Sequence, residues 1–168
     1  LNEVELDALF ITNVLGFAGD LTKIKEICDS KNILLIEDSC EALGTVIDNN
    51  KTGNFGRAAS FSFFVAHHMS TIEGGMLTTN DSDLAQMLRI VRANGWDRNL
   101  NSKQKTELRK KNNVKGEFEA KYTFYDLGFN LRPTEITGAL GLIQLRYLEN
   151  NIKLRNRNHL ELIKDIDR

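Results

Sequence analysis

The feature that most constrains the fold is a strand, a helix and a second strand within the first 38 residues. The segment ALFITN at 8–13 is a short apolar strand, and ILLIED at 33–38 is typical of a buried strand that ends in two acids. A helix is predicted over 20–32, because Asp20 can cap it and apolar side chains recur on one helical face. This order predicts parallel strands joined by a right-handed crossover, which is the βαβ unit of an α/β fold.

The later elements continue the α/β pattern. Strands are predicted at 59–64 and 75–79, and a helix near 82–93 keeps apolar residues at helical spacing. The only proline, Pro133, precedes a predicted helix over 134–147. We therefore expect a mostly parallel sheet flanked by helices, and ligands of such sheets bind beyond the carboxyl ends of the strands.

Residues 97–121 carry few apolar side chains, and Lys and Arg outnumber the acids there. They predict an excursion from the core, either a solvated loop with a short helix or a flap over an active site that meets an anionic substrate. No repeat is visible, so residues 1–168 are expected to form a single domain. The chain opens on Leu1 with a strand already at residue 8, and we expect it to be a fragment.

Charge and cysteine usage exclude several classes of protein. The 22 Lys and Arg residues nearly balance the 23 Asp and Glu residues, so no charge excess favours nucleic acid or an acidic membrane. No apolar run is long enough for a membrane span. Cys28 and Cys40 lack metal-ligand spacing and are expected to be reduced thiols in a cytoplasmic protein.

Three groups of residues are candidates for chemistry. Asp38 ends a buried strand, where a carboxylate can hold the proton of a heteroaromatic nitrogen, although a helix cap or a surface acid is equally typical. Ser62 and the Glu-Gly-Gly turn at 73–75 can approach a phosphate, although a packed hydroxyl and a plain turn are the ordinary interpretations. His67 and His68 are adjacent, so their side chains diverge in an extended chain and cannot easily share one metal.

Four motifs occur in an order that resembles a known family. LLIEDSCEALGT, TGNFGRAASFSFF, EGGMLTTND and LGFNLRPTEITGALGLIQL follow one another along nearly the whole chain. They resemble the signatures of the DegT/DnrJ/StrS sugar aminotransferases, which are pyridoxal phosphate proteins of fold type I. The resemblance implies that the chain is part of the cofactor-binding large domain, with the N-terminal part of that domain and the small C-terminal domain lying outside it.

The resemblance also implies roles for individual residues. Asp38 matches the aspartate that pairs with the pyridine nitrogen of the cofactor, and Glu41 stands where the family has a glutamine against the cofactor ring. Ser62 matches the serine that binds the cofactor phosphate. Asn130 matches an asparagine that reaches the phosphate from the partner subunit of a homodimer. His67 stands where most members have the lysine that links covalently to the cofactor.

The histidine at this position implies a different activity from amino transfer. An imidazole cannot form a Schiff base with the cofactor aldehyde, so the cofactor must be held without a covalent bond. Ala-His-His followed by Glu-Gly-Gly is similar to the branch that removes the 3-hydroxyl from nucleotide-linked 4-keto-6-deoxy sugars, where the histidine acts as the base on pyridoxamine phosphate. Neutral imidazole suits this proton transfer near pH 7. His68 is expected to face away, because adjacent residues at a strand end alternate.

Two further expectations follow from the resemblance. Residues 95–168 contain no cysteine, which resembles the dehydratases that have no iron–sulfur cluster and regenerate pyridoxamine phosphate with glutamate. The expected partners are thus a nucleotide sugar, glutamate and a second copy of the chain. Two alternatives stay open: a homologue without the lysine that serves as a non-catalytic partner or sensor, and an unrelated α/β binding module.

Overall fold

The computed structural model describes residues 5–166, which form an α/β structure. Within them the strands are β1 (Ala8–Thr12), β2 (Leu34–Asp38), β3 (Val46–Ile47), β4 (Asn50–Lys51), β5 (Ala58–Ser62) and β6 (Gly75–Thr78). The helices are α1 (Leu21–Ser30), α2 (Ser82–Val91), α3 (Ser102–Lys111), α4 (Glu117–Tyr122), α5 (Glu135–Leu145) and α6 (Leu148–Ile166). A short 3-10 turn covers Val14–Gly16.

The main sheet has the order β1-β2-β5-β6. The pairs β1–β2 and β2–β5 are parallel, whereas β6 runs antiparallel to β5. The strands β3 and β4 form a separate antiparallel pair. The predicted α/β class and mostly parallel sheet are therefore confirmed.

Helix α1 packs its apolar face on the sheet and forms the core there. The Asp20 side chain accepts a hydrogen bond from the Lys23 backbone N–H at 2.9 Å, which confirms the predicted N-cap. Five buried side chains make up the cluster: Leu21, Cys28, Ile33, Leu35 and Phe55. Their burial stabilises the βαβ unit, and this unit positions the carboxyl ends of β1 and β2 at one edge of the sheet.

The predicted elements agree with the structure to within a few residues at each end, but α6 and the β3–β4 pair were not predicted. Only two residues separate α5 from α6, and neither is a glycine or proline that would mark a boundary. Most of its residues are polar and exposed, so apolar periodicity is weak. The segment 97–121 contains α3 and α4, two short helices where one was expected.

The chain divides into two compact units. One contains the residues up to Thr79 and those from Thr134 onward, and the other contains Asn80–Pro133. In the second unit, Arg109 donates hydrogen bonds to the buried Asp97 and to Glu117, both at 2.7 Å. The expectation of a single domain stays a prediction. Among the described helices, none has the length and apolar character needed to cross a bilayer.

Candidate functional site

Polar side chains gather where the parallel strands end. Asp38 pairs in register with Thr12 on β1 and with Ser60 on β5. Residues directly opposite each other in a sheet point to the same face, and Ser62 lies on the same face of β5 as Ser60 because side chains alternate. Asp38, Ser60 and Ser62 therefore face one side of the sheet at its carboxyl edge, where ligands of such folds bind.

The Asp38 carboxylate is held by its neighbours. Its Oδ1 accepts hydrogen bonds from the Cys40 backbone N–H at 3.1 Å and from the Ser60 hydroxyl at 3.2 Å. Burial would by itself raise the pKa of Asp38, but these hydrogen bonds and the charge of His67 outweigh it and hold the pKa below its usual value. The group is thus a carboxylate at neutral pH, able to accept a hydrogen bond from a protonated ring nitrogen.

Glu37, the other acid at the end of β2, has a structural role. It is completely buried on the opposite face from Asp38. Its carboxylate accepts hydrogen bonds from three backbone N–H groups, those of Gly53 at 2.7 Å and of Phe55 and Gly56 at 2.8 Å each. The loop that leads into β5 is therefore fixed by this carboxylate, a role that the sequence did not predict.

Glu41 joins the loops that follow β1 and β2. Its Oε2 accepts a hydrogen bond from the Leu15 backbone N–H at 2.7 Å, and Leu15 has a φ of 53°. The hydroxyl of Thr45 donates to the Gly16 carbonyl at 3.0 Å and adds a second link. The predicted contact of Glu41 with a cofactor ring stays a prediction, and its carboxylate has a structural partner in this loop.

Ser62 is the last residue of β5 and pairs with Gly75 of β6. Its Oγ accepts a hydrogen bond from the Phe64 backbone N–H at 3.2 Å. The hydroxyl proton has no acceptor among residues 5–166 and can be donated to an oxygen of a bound group. This geometry suits the phosphate role that the resemblance implies.

The two histidines lie in a turn rather than in a strand. The strand β5 ends at Ser62, and the His67 backbone N–H donates to the Phe64 carbonyl at 3.1 Å. Strand alternation therefore does not apply, and His67 and His68 line the same cavity of about 360 Å³. The expectation that His68 faces away from the cofactor loses its basis in strand alternation and stays a prediction. His67 is also near enough to Asp38 for its charge to lower the pKa of that carboxyl.

Helices α5 and α6 supply the other wall of this cavity, and the sequence analysis missed these residues. The lining side chains from the two helices are Gln144, Asn151, Leu154, Arg155 and Asn158. Those on α6 recur three and four residues apart, and this spacing places them on one face of the helix. The spacing is visible in the sequence and could have indicated that these residues act together. We call this cavity, with its histidine and helical walls, the α6 cavity.

Two contacts place α6 beside the loops at the carboxyl edge of the sheet. Gly44 has a φ of 96° and leaves no room for a Cβ, because the Ile152 side chain lies against it. The Phe17 and His159 rings meet edge to face with their centroids 5.4 Å apart. The loops after β1 and β2 thus both contact α6.

His68 lies in a cationic, partly buried environment. Burial lowers the pKa of His68, the charges of Arg155 and His67 lower it further, and Glu41 opposes them. The Nδ1 atom of His68 is shielded from solvent and has no hydrogen-bond partner in the described part of the chain. A neutral ring with one unused polar atom therefore lies beside His67.

Asn130 belongs to the second compact unit. Its backbone forms an isolated bridge with Ala93, and its Oδ1 accepts a hydrogen bond from the Arg132 Nε at 3.0 Å. The phosphate role implied for Asn130 stays a prediction. Across residues 5–166, no three His, Cys, Asp or Glu side chains are grouped so as to hold a metal ion.

Comparison with known proteins identifies relatives over most of the chain. The model of the DegT/DnrJ/EryC1/StrS aminotransferase family matches residues 3–166. Over 90% of its length, the chain is 37% identical to the GDP-4-keto-6-deoxy-D-mannose 3-dehydratase of Escherichia coli O55:H7 and 36% identical to the enzyme of that name from Yersinia pseudotuberculosis. It spans 38% of the length of each of these curated relatives.

Solved structures agree with the sequence comparison. The E. coli GDP-4-keto-6-deoxy-D-mannose 3-dehydratase with bound hydrated PLP superposes with a TM-score of 0.88 at 34% identity, over 99% of this chain and 42% of that one. A GDP-4-keto-6-deoxymannose 3-dehydratase with a trapped PLP–glutamate geminal diamine gives 0.76 at 35% identity, over 88% of this chain and 38% of that one. The chain belongs to the DegT/DnrJ/EryC1/StrS aminotransferase family.

Proposed function

We propose that the protein containing this chain is a pyridoxamine phosphate-dependent dehydratase that removes the 3-hydroxyl of a nucleotide-linked 4-keto-6-deoxyhexose. The observation that carries the proposal is the imidazole of His67, which is close enough for its charge to act on Asp38. The motif resemblance implies that most family members have a lysine at this position. A lysine there makes a covalent link to the cofactor, whereas an imidazole can only exchange protons. The function follows from this difference.

The described residues fit such a cofactor. The Asp38 carboxylate is ionised and faces the ligand edge of the sheet, where it can hold the pyridinium N–H. The free proton of the Ser62 hydroxyl can be donated to the phosphate. When bound, the cofactor supplies an amine for the sugar ketone and a conjugated ring that accepts electrons.

His67 is proposed to be the base that takes a proton from the 4′ carbon of the cofactor. It lines a cavity of about 360 Å³ and is partly exposed, so it can reach a bound molecule. Imidazole is the side chain best suited to accept and donate protons near neutral pH. The protonated ring can then give this proton to the departing 3-hydroxyl, which would leave as water.

The relatives support the substrate and the amino donor. The two curated relatives are named for a GDP-linked 4-keto-6-deoxymannose, and one solved neighbour carries PLP joined to glutamate. We therefore propose a GDP-linked sugar as the substrate and glutamate as the amino donor. The absence of cysteine from residues 95–168 supports a dehydratase without an iron–sulfur cluster.

A homodimer is part of the proposal. Apolar side chains of α5 are exposed, including Ile136, Leu142, Ile143 and Leu145. A second copy of the chain can cover them, since apolar patches of this kind mark contact surfaces. In such a dimer, Asn130 of the partner subunit is proposed to contact the cofactor phosphate, and the proposed location is the cytoplasm.

The test measures catalytic turnover by the intact protein, meaning the whole protein that contains this chain. With pyridoxamine phosphate, glutamate and GDP-4-keto-6-deoxymannose, we expect a 3-deoxy sugar product, measured by mass spectrometry. His67→Asn should lower single-turnover dehydration about 10²- to 10⁴-fold, because a general base contributes that much, while cofactor affinity is largely kept. Lys153→Gln is the control, since Lys153 is exposed on α6 and lies outside the cavity lining.

Two outcomes would contradict the proposal. One is an amino sugar that still carries its 3-hydroxyl. The other is a cofactor adduct in the unmutated protein that borohydride reduces onto a lysine. His67→Lys is expected to create such an adduct, because it restores the amine that the covalent link requires.

A further inference from the structure

The α6 cavity has the composition of an anion site. The residues that line it include Arg155, Gln144, Asn151, His67 and His68, whose side chains carry a guanidinium, two amides and two imidazoles. No acidic side chain lines it. Guanidinium and amide N–H groups are donors that match carboxylate or phosphate oxygens. A neutral or cationic ligand would leave these donors without a favourable partner.

Two of these groups are unpaired in the protein itself. Arg155 makes no hydrogen bond or ion pair with any residue from 5 to 166, although other arginines in the same range do. The Nδ1 atom of His68 is shielded from solvent and also lacks a partner. Arg155 is exposed, so its guanidinium is available to a ligand from solvent. A polar atom that is shielded from solvent and lacks a partner is uncommon and costs free energy, so the Nδ1 atom of His68 favours a ligand that satisfies it.

The position of Arg155 is set by the fold. Ile152 and His159, on either side of it along α6, are held against Gly44 and Phe17 respectively. Arg155 is thereby kept near His68, whose pKa its charge lowers. The cavity, about 360 Å³, lies within the size range of small-molecule sites.

We propose that the α6 cavity binds the anionic group of a small molecule, a carboxylate or a phosphate, with Arg155 as its main recognition residue and Asn151 and His68 as further partners. Only the identity of the two candidate molecules rests on the proposed function. The carboxylate would come from glutamate, and the phosphate would come from the diphosphate of the nucleotide sugar. In either case the anion binds beside His67.

The experiment is isothermal titration calorimetry on the intact protein, with L-glutamate and GDP as the two probes. Arg155→Gln removes the cation and should weaken binding of at least one probe about 10- to 100-fold, because hydrogen bonds to charged groups are strong. Lys153→Gln is the control, since it removes one positive charge from the exposed side of the same helix. Its affinities should equal those of the unmutated protein.

The two probes distinguish the sources of the anion. Loss of glutamate binding alone identifies a carboxylate site, loss of GDP binding alone identifies a phosphate site, and loss of both identifies a shared anion site. Equal affinities in Arg155→Gln and Lys153→Gln for both probes would overturn the proposal, as would failure of the unmutated protein to bind either probe.

A second variant and a second measurement cover the case in which Arg155→Gln does not fold. Asn151→Asp keeps the side-chain shape and places a negative charge in the cavity, so it should weaken the same probe. In the unmutated protein, the His68 ring signals should shift in NMR spectra when that probe is added, and unshifted signals at saturation would overturn the proposal. Because binding is measured without turnover, loss of the anion site and loss of the proposed dehydratase activity are separate outcomes.

Discussion

At the scale of single residues, Asp38 shows how hydrogen bonds decide the charge of a partly buried acid. Two donors, the Cys40 backbone N–H and the Ser60 hydroxyl, share its Oδ1 at 3.1 and 3.2 Å. Burial acts in the opposite direction, and the donors with the His67 charge prevail, so the pKa of Asp38 falls. The group therefore stabilises the folded state only while it is ionised.

The lowered pKa of Asp38 predicts how the stability of the protein depends on pH. Because the folded pKa lies below the ordinary value of 3.8, the contribution of Asp38 is complete above that value and is lost as pH falls through the folded pKa. The difference in unfolding free energy between the unmutated protein and Asp38→Asn should therefore be constant from about pH 7 to about pH 5 and shrink below about pH 4. Urea denaturation across this range measures it. A difference that grows toward low pH would contradict the assignment.

For the two adjacent histidines, the sequence predicted a role for His67 and an orientation for His68. His67 was selected as the candidate base because of its place in the motif, and its charge acts on Asp38 in the structure. The argument from strand alternation does not hold for His68, because the chain turns at Phe64 and both histidines line one cavity. Alternation is a rule for strands, and it ends where the strand ends.

At the scale of elements, the loop 52–56 depends on one buried carboxylate. Glu37 accepts three backbone N–H groups from Gly53, Phe55 and Gly56 and has no exposed surface. The loop leads directly into β5, which carries Ser60 and Ser62. The geometry of the ligand edge therefore depends on Glu37 even though Glu37 points away from it.

Glu37→Gln is predicted to destabilise the protein. The amide oxygen can keep the bonds from Phe55 and Gly56, but the amide nitrogen would face the Gly53 N–H, so one buried donor loses its acceptor. The expected loss of unfolding free energy is about 1–3 kcal/mol, and Glu37→Ala should cost more because all three donors lose their acceptor. Urea denaturation measures both.

Glu26→Gln is the matched control for this prediction. Glu26 is exposed on α1, and its substitution should change the unfolding free energy by less than about 0.5 kcal/mol. If Glu37→Gln were as mild as Glu26→Gln, the carboxylate would not be holding the loop.

At the scale of the whole molecule, the exposed face of α5 predicts association. Leu142 is 68% exposed, and its apolar neighbours on the helix are also largely uncovered. If the proposed homodimer uses this face, Leu142→Glu should shift the protein toward monomer in analytical ultracentrifugation, because a charge replaces apolar contact surface. Lys153→Glu, an exposed change on α6, should leave the dimer intact.

The same variant tests the proposed contribution of Asn130 from the partner subunit. If that residue contacts the cofactor phosphate across the dimer, the monomeric Leu142→Glu protein should bind pyridoxamine phosphate more weakly than the unmutated dimer in fluorescence titration. Unchanged cofactor affinity in the monomer would mean that each site is built from a single chain.

The sequence by itself determined the α/β class, the parallel βαβ unit and the candidates Asp38, Ser62 and His67. These follow from local patterns: apolar runs, a cap at Asp20, and motifs that keep their spacing along the chain. The parallel register then brings Asp38 opposite Ser60, as expected of residues at the carboxyl edge of one sheet.

Only the tertiary structure decided the role of Glu37, the place of His68 in the cavity lining and the wall that α6 adds to the cavity. Arg155 lies 87 positions after His68 in the sequence, yet its charge lowers the pKa of that histidine. Such contacts depend on how a helix packs over loops, here through Gly44 against Ile152. The local periodicity of a sequence shows which face of a helix is apolar. Which segment the polar face contacts depends on packing between parts of the chain that are distant in sequence.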